Sequence, residues 1–202
     1  PQPVDVEAIR TRVRALMPAL RADLEELSRI RSLSADTHED FDQASVDASA
    51  ERVAELLRAE GLAVEIVREG GQPAVIGHVD GPPGSPTVML YAHHDVQPAG
   101  DPALWDSDPW EPSERGGRLF GRGVADDKAG ITAHLAALRA HTGALPVGVT
   151  VFVEGEEEYG SDSLPVILAR HGDKLAADAI VLADSGNWEL GLPALTTTLR
   201  GL

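Results

Sequence analysis

Val88-Met89-Leu90-Tyr91-Ala92-His93-His94-Asp95 is an apolar strand that ends in two imidazoles and a carboxylate. Side chains alternate faces along a strand, so His93 and Asp95 project together and His94 projects away. Working outward, apolar β-rich runs also occupy residues 63–67, 74–79, 148–153 and 179–183, the last two reading as buried strands. The turn-forming run Gly81-Pro82-Pro83-Gly84-Ser85-Pro86 predicts a strand-to-strand connection into the quoted segment. Helical spacing of Ile9, Val13, Leu16, Leu20, Leu24, Leu27 and Ile30 predicts a long amphipathic helix over 4–33, kinked or interrupted at Pro18. Further helices are expected at 43–60, stopped by Gly61, at 127–140 and at 161–171. Residues 97–114 carry four prolines and two tryptophans without a period, which predicts a long ordered loop. Helices alternating with apolar strands argue for an α/β fold, a three-layer sandwich whose mostly parallel central sheet is covered by helices on both faces. In such sheets functional residues gather at the carboxyl ends of strands.

Composition narrows the chemistry. A chain of 202 residues with 43% hydrophobic content can bury one core, and nothing in it argues for more than one domain. The 33 acidic against 17 basic residues give a formal charge of −16, a field that repels phosphate backbones and anionic lipid headgroups. Nucleic acid and membrane surfaces are therefore poor partners. Without cysteine there is no disulfide, thiolate metal site or thiol nucleophile, which fits a cytoplasmic location, and any metal must be held by nitrogen and oxygen. No signal-peptide core and no membrane-length apolar run is present in the sequence.

Four clusters carry the candidate chemistry: His93 with Asp95, Asp126 with Asp127, Glu157 with Glu158, and Asp184. A metal-bound imidazole usually gives its other ring nitrogen to a carboxylate or carbonyl, and Asp95 stands where it could take that bond. Without a metal the same pair would be a strand-end hydrogen bond. Asp126 and Asp127 follow Gly121-Arg122-Gly123 and open a helix, so they read either as a helix N-cap or as a cation site. Glu154-Gly155-Glu156-Glu157-Glu158 follows an apolar strand, where a solvated charge run explains the crowding less well than a bound cation or a held proton. Asp184 again places a carboxylate at a strand's carboxyl end. In this order and at these positions the clusters can hold a metal ion and activate water. His134 falls on an apolar helical stripe and reads as a packed core histidine; His38, His78, His141 and His171 read as surface or loop residues.

These motifs resemble those of the co-catalytic zinc peptidases that include carnosinase-type dipeptidases, aminoacylase, acetylornithine deacetylase, succinyl-diaminopimelate desuccinylase and glutamate carboxypeptidase. The resemblance rests on Tyr91-Ala92-His93-His94-Asp95-Val96-Gln97-Pro98, on Gly121-Arg122-Gly123-Val124-Ala125-Asp126-Asp127-Lys128, and on Glu154-Gly155-Glu156-Glu157-Glu158-Tyr159-Gly160-Ser161. Trp105-Asp106-Ser107-Asp108-Pro109-Trp110-Glu111-Pro112 further resembles the dipeptidase branch. The resemblance implies two Zn2+ ions, with Mn2+ or Co2+ as substitutes, bridged by Asp126. His93 and Asp184 would complete one site, and Glu158 would belong to the other. Asp95 would orient His93, and Glu157 would be the general acid-base for hydrolysis of a peptide bond. It also implies a cis peptide between Asp126 and Asp127. The same residues would serve a deacylase of N-acyl amino acids, while a non-catalytic metal- or partner-binding module is a reading of another class.

Residues 1–202 correspond in this resemblance to the N-terminal part of the catalytic domain, with 194–202 similar to the start of a lid domain that also forms a homodimer contact; the second metal's histidine would lie further downstream, after that lid. On that basis the expectation for this polypeptide alone is one strongly held metal and weak or no peptide hydrolysis.

Overall fold

The computed structural model describes residues 5–189 and 191–196. Helix α1 spans Val6–Arg29, capped by Asp5, whose carboxylate accepts from the Ala8 amide at 3.0 Å. It runs unbroken through Pro18. Pro18 and Arg14 both face solvent, so water can satisfy the Arg14 carbonyl that the proline leaves without a donor. Helix α2, Gln43–Ala59, starts at Asp42, which accepts from the Ala44 and Ser45 amides, and stops before Gly61 at φ 85°.

Among the described residues five strands make the main sheet: β1 Ala63–Val67, β2 Ala74–Val79, β3 Thr87–His93, β6 Gly148–Glu154 and β7 Ala179–Leu182, in the order β1-β2-β6-β3-β7. A separate hairpin joins β4, Ser113–Arg115, to β5, Arg118–Phe120. Helix α3 covers Lys128–Ala140 and α4 covers Leu164–His171.

The sheet is parallel across β6, β3 and β7 but antiparallel across β1, β2 and β6. The physical reason is loop length: β1 and β2 are joined by residues 68–73, too few for the crossover that parallel neighbours need. The connection after β2 does lead to a strand, but not to a neighbouring one, because β6 lies between β2 and β3. Residues 80–86 therefore pass across the start of β6. Gly81 sits at that crossing, where a Cβ would lie 2.3 Å from the Gly148 amide nitrogen and 2.4 Å from the Val147 carbonyl carbon.

Helices α1, α2 and α3 cover one face, burying Leu27, Val53, Leu57, Ile131 and Leu135 against Val75, Leu90, Val149, Val151 and Val153. On the other face α4 contributes Ile167, which packs with Ile76, Met89, Phe152 and Leu175. The result is the expected three-layer α/β sandwich. Strand β7 departs from its expected burial: Ile180, Val181 and Leu182 are 56%, 48% and 59% exposed, because β7 is the last described strand and neither of its faces is covered. The long loop holds a single 3₁₀ turn at Pro102–Leu104 and is pinned by Trp105, whose indole donates to the Ala99 carbonyl at 2.8 Å, and by Arg122, which donates to the Pro98 carbonyl at 3.1 Å. The helix expected from 161 begins only at Leu164, since Gly160 and Ser161 have φ 99° and 54°. Among the described residues no helix is long and apolar enough to cross a membrane.

Candidate metal centre

Strand β3 delivers His93, fully buried, to the carboxyl edge of the sheet. Its Nδ1 lies 3.0 Å from the Asp95 carbonyl oxygen and 3.3 Å from Asp95 Oδ1. Both can only accept, so Nδ1 carries the proton, and a neutral imidazole keeps its lone pair on Nε2. That nitrogen faces carboxylates: Asp126 Oδ1 at 3.1 Å, Glu157 Oε2 at 3.8 Å and Asp184 Oδ2 at 3.8 Å. Among the described residues two sets offer ligand atoms within 4.8 Å of one another, His93 with Asp127 and Asp184, and His93 with Asp126 and Glu158. One imidazole is common to both.

Asp95 does more than orient His93. Its carboxylate is buried, and its two oxygens accept from the Glu157 amide at 3.2 Å and the Glu158 amide at 3.1 Å. Burial alone would raise its pKa, but the His93 hydrogen bond and charge hold it below the usual carboxylate range. His94 points away, as strand alternation requires, and packs with Nε2 2.8 Å from the Pro73 carbonyl.

The peptide between Asp126 and Asp127 is cis. Asp127 opens α3, yet its side chain makes no capping hydrogen bond. Oδ2 accepts from the His93 amide at 3.3 Å, whereas the buried Oδ1 has no partner. Burial, helped by the charges of Asp184 and Asp126 and opposed by His93, pushes this carboxyl up to about 7. Gly130 makes room for it: a Cβ there would stand 2.3 Å and 2.6 Å from its two oxygens. An ordinary helix interior gains up to about 1 kcal/mol on replacing glycine by alanine. Here the clash reverses the sign, and Gly130→Ala should destabilise the protein by about 1–3 kcal/mol, read by thermal or denaturant unfolding.

The glutamate run divides its labour. Glu154 is buried and accepts from the Tyr91 hydroxyl; Glu156 accepts from the Ser163 amide at 3.1 Å and the Gln72 amide at 2.9 Å, tying α4 to the loop before β2. Only Glu157 and Glu158 face His93. Their pKa values are raised, by burial first and then by neighbouring carboxylates, with His93 opposing in both and the Gln97 hydrogen bond also opposing at Glu158. His93 is raised as well: burial pulls it down, but the Asp95 hydrogen bond and the charges of Asp95, Asp127 and Asp184 carry it up to about 10.

This donor set suits a divalent cation. Among the described residues His93 is the only ion-pair partner of Asp126, Glu157 and Asp184, and none is found for Asp127 or Glu158. Asp127 Oδ1 and Glu158 Oε1 are buried without a hydrogen-bond partner. Lys128 does not neutralise them, because its buried ammonium donates to the Leu27 and Ile30 carbonyls at 2.8 and 2.7 Å, at the end of α1. Buried carboxylates left uncompensated are costly, and a cation would offset that cost.

Sequence reasoning paired Asp127 with Asp126 but assigned it no contact with His93, and it passed over Gln97 and Lys128. For Gln97 a signal existed in the two-residue spacing from His93 and Asp95. His134 is the packed histidine expected, with Nε2 2.8 Å from the Tyr91 carbonyl. His78 and His171 are not loop residues: His78 lies in β2 beside Thr150 and Asp80, and His171 ends α4 beside Glu69.

Two His-carboxylate sets sharing one imidazole, at the carboxyl edge of an α/β sandwich, define a candidate dinuclear metal centre. The model of Peptidase family M20/M25/M40 matches residues 89–197, and the chain belongs to that family. It is 39% identical over 150 residues to the cysteinylglycine-S-conjugate dipeptidase of Corynebacterium striatum, an alignment covering 71% of this chain and 33% of that protein. It is 33% identical over 201 residues to the Beta-Ala-His dipeptidase of Rattus norvegicus, covering 92% and 36%. The crystal structure of human carnosine dipeptidase 1 superposes with a TM-score of 0.83 at 28% identity, over 93% of this chain and 42% of that one. The chain thus spans about a third of the length of the curated relatives it matches.

Proposed function

We propose that the protein carrying this chain hydrolyses dipeptide-like amide bonds with the help of divalent metal, and that residues 1–202 form the N-terminal part of its catalytic domain. The observation that carries the reading is the convergence of Asp126, Glu157 and Asp184 on His93 Nε2, at 3.1 to 3.8 Å. The dipeptidase names of the relatives and the uncovered edge at β7 support it.

His93, Asp126, Glu158 and Asp184 would hold the metal, and the contact of Asp127 with the same imidazole makes it a further donor. Imidazole with carboxylates suits Zn2+, with Mn2+ or Co2+ as substitutes. The ion supplies Lewis acidity, polarising a carbonyl and making water easier to deprotonate. Asp95 holds the His93 proton on Nδ1 and, through the amides of Glu157 and Glu158, sets both glutamates relative to that imidazole. Glu157 is the proton carrier: partly exposed, with a raised pKa, it takes a proton from the attacking water and returns it to the departing amine.

Metal-stripped protein should not cleave dipeptides, and added Zn2+, Mn2+ or Co2+ should restore cleavage, assayed on a panel of dipeptides and N-acyl amino acids. Turnover that survives chelation would defeat the metal reading. Turnover confined to acyl amino acids would replace the peptidase by a deacylase.

A further inference from the structure

We propose that Gln97 is a positioning residue that commits Glu158 to the metal centre through a single carboxylate oxygen, an inference that rests on reading Glu158 as a metal ligand. The Gln97 Nε2 donates to the Glu158 carbonyl at 2.8 Å and to Glu158 Oε2 at 3.0 Å. A side-chain amide nitrogen has two hydrogens, and both are spent on this one residue. The opposite setting of the amide would turn its oxygen toward two acceptors, so chemistry dictates the donor orientation. From the other side, Asp95 Oδ2 accepts from the Glu158 amide at 3.1 Å.

Glu158 is therefore gripped at its N–H, its C=O and one carboxylate oxygen, all by side chains from the segment that continues β3. His93, Asp95 and Gln97 stand at alternate positions of that segment: a ligand, a carboxylate brace and an amide brace. The terminal torsion of a glutamate is broad and two-fold, so a free carboxylate presents its two oxygens interchangeably. Gln97 removes that equivalence. Glu158 Oε1 is left buried and without a hydrogen-bond partner, within a residue set that already offers His93 and Asp126 to a cation. Ligation through both oxygens would make Oε2 share its lone pairs between the cation and the Gln97 donor, whereas Oε1 has none committed.

The test compares wild type, Gln97→Ala and Gln97→Glu in the whole protein, stripped of metal and titrated with Co2+. Chelator competition reads affinity and visible absorption reads coordination. The glutamate variant keeps the side-chain length but loses the donors and adds a charge facing Glu158. Loss of a partner that orients a metal ligand typically costs 10–100-fold in metal affinity. The expected result is a loss of about 10–100-fold at one Co2+ equivalent, with a changed absorption band, at least as severe in Gln97→Glu as in Gln97→Ala. The other equivalent should keep its affinity, and the metal-free melting temperature should move by no more than about 2 °C. Unchanged affinity and spectrum would overturn the role. So would equal losses at both equivalents together with a lowered metal-free melting temperature, since Gln97 would then be a general structural contact. Failure of wild type to bind Co2+ would instead overturn the metal centre itself, and this role with it.

Discussion

Glu157→Gln should lower kcat by about 10²–10⁴-fold while the bound metal stays at the wild-type level. The amide nearly matches the carboxylate in shape but cannot accept and return a proton at neutral pH. Glu157 stands 3.8 Å from His93 Nε2, yet it belongs to neither of the two sets whose ligand atoms converge within 4.8 Å. Asp95 grips its backbone amide, so the substitution leaves the turn that carries Glu158 in place. Steady-state kinetics on a dipeptide, with metal content by elemental analysis on the same samples, separate the two roles. Loss of metal alongside loss of turnover would show that Glu157 is itself a ligand.

Metal affinity should rise about tenfold per pH unit between about pH 7 and 9, because the cation must displace a proton from His93. In the metal-free protein that imidazole is carried up to about 10, so it is protonated throughout the interval. Below about 7 the Asp127 carboxyl adds a second proton to be displaced. Stability follows with a defined sign. His93 is raised from 6.5, so its contribution is complete below about 6.5 and is lost as pH rises through about 10. Asp127 is raised from 3.8, so its contribution is complete below about 3.8 and is lost as pH rises through about 7. Both trends point the same way, whereas Lys128, drawn by burial from 10.5 down to about 7, contributes the opposite slope between those values; the gap between the metal-free and metal-saturated melting temperatures, in which Lys128 cancels, should therefore widen as pH rises from about 6 to 10. Chelator competition at several pH values and melting curves with and without metal check both. An affinity independent of pH from 7 to 9 would show that His93 is not the displaced group.

The alternation of faces along the strand from Val88 was enough to send His93 and Asp95 one way and His94 the other, and the structure keeps that division. Helix extents were legible where a glycine marks them, as at Gly61. They were less so at Ser161, where backbone with positive φ delays the start of α4 to Leu164. Pro18 does not interrupt α1, because the cost of an interior proline depends on whether water reaches the freed carbonyl, which is a matter of exposure and not of residue type. Within the glutamate run, composition offered four similar side chains. Which pair turns toward His93 depended on where Ser163, Gln72 and Tyr91 stood.

What the sequence by itself determined is the inventory and its local geometry: apolar strands ending in imidazole or carboxylate, an acidic pair at a helix start, and no thiolate ligand. Period-two and 3.6-residue patterns are local physics and survive any tertiary arrangement. Only the tertiary structure decided that β6 enters between β2 and β3, that β7 stands uncovered at the edge, and that Asp127 joins the carboxylates around His93. Those outcomes turn on contacts between segments far apart in the chain, where loop length, burial and unpaired charge select among arrangements that the local pattern leaves equal.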